Sequence, residues 1–176
     1  MTTCYYTAAT LDGFLATPEH SLDWLFACDF DWAAPMPHAT FADGVGALVM
    51  GASTYEWMLD RGEPWPYEQP AWVLTHRDLP IPDGADIRLT QADVRDVHAE
   101  MTAAADGRTL WVMGGGGVAH QFAEAGLLDE IWVQFAPVMI GAGHPLFTGW
   151  LDLQLIDVAR NGDFMCGRYR VRRPSA

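Results

Sequence analysis

The chain has 176 residues, enough for one domain with a substantial core and too few for two domains of ordinary size. Half of the residues are hydrophobic and 19% are charged, which excludes a disordered chain, and no apolar run is long enough to span a bilayer. A net charge of −13, from 23 acids against ten arginines and no lysine, repels phosphate backbones and anionic lipid, so neither nucleic acid nor membrane is an expected partner.

The opening Met1-Thr2-Thr3-Cys4 has no basic region followed by an apolar one and runs straight into a strand-like stretch. That reads as a cytoplasmic protein without a signal peptide. Cys4, Cys28 and Cys166 are odd in number and far apart, and the six histidines are scattered. Neither a disulfide framework nor a metal site is expected.

Residues 3–9 read as a first strand, Asp12-Gly13 as a turn, and Phe14-Leu15-Ala16 as a resumed extended segment. Ser21 looks like a cap before a short helix over Leu22–Phe26. The stretch 29–44, with Pro35, Pro37 and Gly44, suits a broken helix or a long loop. Ala47–Met50 is a glycine-bounded apolar run, as expected of a central strand covered on both faces. Ser53 and Glu56 then fit a capping box opening a helix that ends near Arg61-Gly62. Residues 63–70 carry three prolines and read as irregular; Ala71–Thr75 is the next buried strand. A weaker strand at 86–89 precedes a helix capped around Thr90 and Asp93, with Val94, Val97, Met101 and Ala104 on one stripe. Thr109–Met113 is a strand, 118–125 a helix stopped by Gly126, and Ile131–Phe135 a further strand. Two last strands, 151–159 and 163–172, meet through Asn161-Gly162, a hairpin signal. The arginines crowded into the final one (Arg168, Arg170, Arg172, Arg173) suit an exposed strand and tail or an anion site. The pattern predicts a mixed sheet of at least seven strands with helices on both faces.

Gly114-Gly115-Gly116-Gly117, between a strand and a helix, is the sharpest chemical signal. Glycine lets a ligand approach the backbone, and the free amides of a helix start can hold a pyrophosphate; tight packing alone is the alternative. No Gly-Lys-Ser/Thr follows, which excludes a nucleotide-triphosphate loop, and no acid ends a following strand as a doubly wound dinucleotide fold requires.

Five stretches occur in order: Ala8–Ala16, Leu48–Glu56, Val112–Phe122, Leu128–Ile131 and Pro137–Phe147. Together they resemble the family uniting dihydrofolate reductase with the reductase domain of bacterial riboflavin synthesis, and most of all the stand-alone proteins of the latter type. The resemblance implies one α/β domain over 1–176, three-layered, with a mostly parallel mixed sheet and a C-terminal antiparallel hairpin. It implies an NADPH-dependent reductase that passes hydride to a small heteroaromatic of pterin or pyrimidine type, as a 5-amino-6-(5-phosphoribosylamino)uracil reductase does. On these residues it implies that Ala9 and the Asp12-Gly13 loop cover the nicotinamide. Gly51, Ser53 and Thr54 would meet the cofactor phosphates, and Thr75, His76 and Arg77 would flank the adenosine ribose and its phosphate. Gly114, Gly115, Gly116, Gly117 and Val118 would cradle the pyrophosphate, and Asp23 would be the acid near the substrate ring.

Ala52 stands where the family usually has an arginine that clamps the extra phosphate of NADPH, so NADH is an open possibility, as is Arg77 as the substitute clamp. Asp23 also suits a first-turn residue that merely stabilises its helix, and Asp12 a turn former. Trp24, Trp57, Trp72 and Trp132 suit core or pocket walls, and His76 and His144 surface positions or positions behind the site. The wealth of Trp, Phe and Met suggests a homodimer, or else a full core in a monomer. A true dihydrofolate reductase and a nucleotide-binding relative without turnover are the competing functions.

Overall fold

A computed structural model describes residues 1–31 and 38–173. The strands are β1 (Thr3–Thr10), β2 (Phe14–Ala16), β3 (Val45–Gly51), β4 (Ala71–Leu74), β5 (Ile87–Thr90), β6 (Thr109–Gly114), β7 (Glu130–Ala136), β8 (His144–Pro145), β9 (Leu153–Asn161) and β10 (Phe164–Val171). The helices are α1 (Asp23–Phe26), α2 (His38–Asp43), α3 (Ala52–Asp60), α4 (Val94–Ala104) and α5 (Gly116–Glu124). Eight strands form one sheet in the order β5-β4-β3-β6-β1-β7-β10-β9; β2 and β8 form a second, two-stranded ribbon. Pairing is parallel from β5 through β7 and antiparallel from β7 to β10 to β9.

Alternation along the central strands sorts side chains into two cores. From β1, Tyr5 and Ala9 enter the core lined by Val97 and Met101 of α4 and Phe122 of α5. Cys4 and Tyr6 enter the opposite core, which holds Tyr55 of α3 and Phe41 of α2. The result is the three-layer α/β arrangement with a mixed, mostly parallel sheet. Among the described residues no helix is long and apolar enough to cross a membrane.

Three local expectations are corrected. The Ser53–Glu56 capping box does not form: Gly51 is the N-cap of α3, no side chain caps it, and Glu56 is held instead by Arg77. The hairpin turn falls one residue later than Asn161-Gly162, because Phe164 pairs with Asn161 and leaves Gly162 and Asp163 as the loop. Asn161 is buried, its Oδ1 accepting from the Asp31 amide at 2.7 Å, while Gly162 has φ +56° and no room for a Cβ beside Asp29. Ser21 does not cap α1 as its N-cap residue, which is Leu22; its Oγ accepts from the Asp23 amide at 3.1 Å. At the helix α4 start, Asp93 is the N-cap and accepts from the Arg95 amide, as the sequence suggests. Of the 29–44 stretch, 38–43 is helical and 32–37 lies outside the described residues. In the C-terminal arginine cluster, Arg168 forks onto Glu130 at 2.8 and 3.1 Å and Arg173 meets Asp129 at 3.0 Å.

Candidate active site

β3 and β6 are neighbours, run parallel, and each ends in a glycine that leads into a helix: Gly51 into α3, and Gly114-Gly115 into α5. Because the strands are adjacent, the two helix starts converge. A Cβ on Gly51 would sit 3.3 Å from Val118 of α5, and one on Gly114 would sit 3.4 Å from the Thr54 hydroxyl of α3. Both N-caps, Gly51 and Gly115, lack a capping side chain, so both helix starts present backbone amides and a partial positive charge to whatever lies in front. What lies in front is a cavity of about 910 Å³ at the carboxyl ends of the parallel strands, where ligands of open α/β sheets sit.

The glycines of the run have different duties. A Cβ on Gly116 would strike the carbonyl oxygens of Pro145 at 2.5 Å and Leu146 at 2.7 Å, so this glycine lets the β8 strap lie on the turn. A Cβ on Gly117 would meet nothing within 4 Å. Gly117 is exposed and belongs to the cavity lining.

The floor and one wall come from β1 through Tyr6, Thr7 and Ala8, with Gln134 of β7 beside them. Leu15, Ala16 and His20, on and after β2, close another side, where the His20 ring stacks on that of His144 at 3.9 Å. Trp24, Leu25 and Phe26 of α1 face Trp57 and Met58 of α3, with Phe26 and Trp57 stacked at 6.1 Å and nearly parallel. Trp111, Tyr67 and Phe164 complete the apolar lining. Burial pushes the Tyr67 phenol up to about 12 and the Tyr6 phenol higher still, so both are neutral. The lining among the described residues includes no Asp, Glu, Lys or Arg.

The β2 ribbon that closes this cavity is pinned by Asp12. Its Oδ2 accepts from the Ile140 and Gly141 amides at 3.0 and 2.7 Å, and its Oδ1 accepts from the Thr10 hydroxyl at 2.5 Å. That hydroxyl above all, with the amides of Gly141 and Ile140, holds the Asp12 carboxyl below the usual carboxylate range.

Of the residues singled out by sequence, Gly51, Ser53, Thr54, Gly114, Gly115, Gly116, Gly117 and Val118 line the cavity together, and so does Ala52. Ala9, Asp23, Thr75, His76 and Arg77 are not among its lining. Ala9 is fully buried in the core. Asp23 is exposed on α1, while its neighbour Trp24 turns inward. Beyond β4, Thr75 accepts from the Arg77 amide, His76 meets Gln91 at 3.0 Å, and Arg77 forks onto Glu56. Trp24 and Trp57 are cavity walls, whereas Trp72 is buried with its indole N–H on Glu100. His20, Phe30, Tyr67, Trp111 and Gln134 also line the cavity; the rings among them are signalled in the sequence only by its aromatic richness, and Gln134 has no sequence signal.

Residues 65–163 match the RibD C-terminal domain family. The chain belongs to that family and has the dihydrofolate reductase-like fold. It is similar to a Shewanella sp. PV-4 protein assigned to riboflavin biosynthesis, at 26% identity and TM-score 0.85 over 98% of this chain and 100% of that one. It shares its fold with the Thermotoga maritima diaminohydroxyphosphoribosylaminopyrimidine deaminase/5-amino-6-(5-phosphoribosylamino)uracil reductase, at 15% identity and TM-score 0.68 over 97% of this chain and 56% of that one. It also shares it with Enterococcus faecalis dihydrofolate reductase, a structure complexed with NADP(H), at 15% identity and TM-score 0.59 over 98% and 97% of the two chains. The family match begins at residue 65, so it takes in the Gly114 turn but neither the Gly51 turn nor the β1–β2 loop.

Proposed function

We propose that the protein is a nicotinamide-dinucleotide-dependent reductase, with NADPH or NADH as cofactor, acting on a small heteroaromatic of pterin or pyrimidine type. The observation that carries this reading is the convergence of two uncapped helix starts, at Gly51 and at Gly114–Gly117, on one cavity with flat aromatic walls. The residues present fit the group. Amides of α3 and α5 suit a pyrophosphate, Gly117 leaves it room, and the Thr54 hydroxyl stands between the two turns. When bound, the dinucleotide supplies the hydride.

The chain's own tasks are to orient two flat rings and to keep water from them. Leu15 and Ala16, held by the Asp12 latch, cover one side of the cavity, and the Phe26–Trp57 stack covers another. Asp23 works in this reading from the rim through water rather than against the ring, because it is exposed. Thr75, His76 and Arg77 flank the adenosine end beyond the β4 terminus, and Ala9 shapes the floor from below. A place in the cytoplasm goes with this reading and with the three free thiols, Cys4, Cys28 and Cys166.

The proposal includes a homodimer through β9. Among the described residues this nine-residue edge strand pairs with β10 alone, and it exposes Leu155, Ile156 and Val158. The test of the main reading is titration of NADPH and NADH side by side, followed by intrinsic tryptophan fluorescence, since Trp24, Trp57 and Trp111 line the cavity. Saturable quenching by at least one is expected. Quenching by neither overturns the reading.

A further inference from the structure

We infer that the aromatic part of the cavity takes a flat, uncharged ring system that carries no phosphate. This deepens the reductase reading and rests on it for the assignment of the glycine turns to the dinucleotide. The described lining holds no Asp, Glu, Lys or Arg. Walls of Trp24, Phe26, Phe30, Trp57 and Trp111 offer ring faces, which stack on any flat π-system.

Gln134 and Thr7 bring uncharged polar groups to the aromatic part, while the imidazoles of the lining, His20 and His144, stack on each other on the β2–β8 side. Gln134 donates through its amide to the Tyr6 hydroxyl, and the Thr7 hydroxyl donates to the Ala8 carbonyl at 3.3 Å. Such groups match ring carbonyls and ring nitrogens. A phosphate dianion placed among these rings would lose its hydration and find no arginine or lysine in the described lining. The start of α1 gives no anion site, because Asp23 adds a carboxylate there and Ser21 takes its amide. Arg61 lies with its guanidinium 5.0 Å from the Phe26 ring and 5.1 Å from the Trp57 ring, outside the lining, and is bound to Glu63 at 2.9 Å. The two helix starts that could hold phosphate are taken up, in the reductase reading, by the dinucleotide. The substrate therefore differs in kind from a phosphoribosyl compound of the sort named for the Thermotoga enzyme.

Riboflavin and its 5′-phosphate, FMN, are a matched pair of probes that share one flat ring and differ by one phosphate. Equilibrium dialysis of the full chain against each, with saturating NADP⁺ filling the glycine turns, gives the comparison. Riboflavin is expected to bind at least about tenfold more tightly than FMN, and Trp57→Ala to weaken riboflavin by about tenfold with its Tm little changed. Equal or tighter binding of FMN, binding of neither probe, or indifference of riboflavin to Trp57→Ala overturns the inference. FMN binding that is lost in Arg61→Ala would also overturn it, by making Arg61 a phosphate clamp. A failure here alongside NADP⁺ binding leaves the reductase reading standing. If NADP⁺ does not bind, that reading falls, and the same order of riboflavin over FMN without it supports the cavity's preference for an uncharged ring.

Discussion

Arg77 reaches back from the end of β4 to grip Glu56 of α3 with both terminal guanidinium nitrogens, each 2.7 Å from its own carboxylate oxygen. The sequence points to Arg77 as a phosphate clamp; the fold gives its charge a resident partner. A ligand phosphate must compete with Glu56, and the pair is more than a third exposed, so it contributes no more than about 1 kcal/mol to stability. Glu56→Gln frees the guanidinium. NADPH should then tighten relative to NADH by several-fold, the gain shrinking as salt rises, and Arg77→Ala added to it should cancel the gain. Dissociation constants for both cofactors at two salt concentrations check this, and an unchanged NADPH-to-NADH ratio would remove Arg77 from cofactor selection.

Ala52 poses the complementary case, because it is the first residue of α3 and lines the cavity itself. Ala52→Arg places a guanidinium beside the glycine turns. NADPH should gain about 1.5–3 kcal/mol from a charge-assisted bond to its extra phosphate while NADH stays nearly constant. A cation at a helix start opposes the macrodipole, so a stability loss of about 0.3–1 kcal/mol should accompany the gain. Titration calorimetry and a melting curve on the same sample measure both.

How much of this was legible in the sequence depended on range. The strand–glycine–helix units at Gly51 and Gly114 were legible because turn, strand and helix signals are local and sit side by side. The pairing of β2 with β8 was not, since His144-Pro145 carries no strand signal and is extended only because it straps the Gly116 turn. Glu56 reads as a capping residue until Arg77, 21 positions away, claims it. On α1 the sequence suits Trp24 to a wall, as the cavity has it, but does not show that Asp23 beside it points away. Four residues are too few to show a periodicity that tells the inward face from the outward one.

The Asp12 latch sets a pH dependence. Its folded-state pKa is depressed, so the carboxylate favours the folded loop at pH values above the unfolded range of about 4, and that contribution is lost as pH falls through the lower folded pKa. Asp12→Asn removes charge and one acceptor from the Ile140 and Gly141 amides. Amide exchange at these two positions should be faster in the variant at neutral pH. The two proteins should converge as pH drops below about 4. Equal exchange near pH 7 would mean that the latch does not hold the loop.

The edge strand tests the dimer. Val158→Lys puts a charge on an exposed apolar position of β9. Light scattering should give twice the 19.4 kDa chain mass for the parent and a mass near 19.4 kDa for the variant, with the melting curve of each recorded at equal concentration. A parent of 19.4 kDa rejects the dimer.

Gly116 and Gly117 separate folding from binding within one turn. Gly116→Ala drives a Cβ to 2.5 Å from the Pro145 carbonyl oxygen, and backbone cannot step aside as a flexible side chain could. The strap must shift, and a loss of about 1–3 kcal/mol in stability, or more, is expected from such overpacking. Gly117→Ala meets no atom within 4 Å and sits in the first turn of α5, where alanine restricts the unfolded chain more than glycine does. Stability should hold or rise by up to about 1 kcal/mol. The added methyl group nonetheless stands in the space where a pyrophosphate would approach the helix amides, so dinucleotide affinity should fall by about tenfold or more. Urea denaturation together with NADPH and NADH titration of both variants reads the two effects apart. A Gly117→Ala protein that binds both cofactors as the parent does would move the pyrophosphate away from α5, and with it the centre of the proposed site.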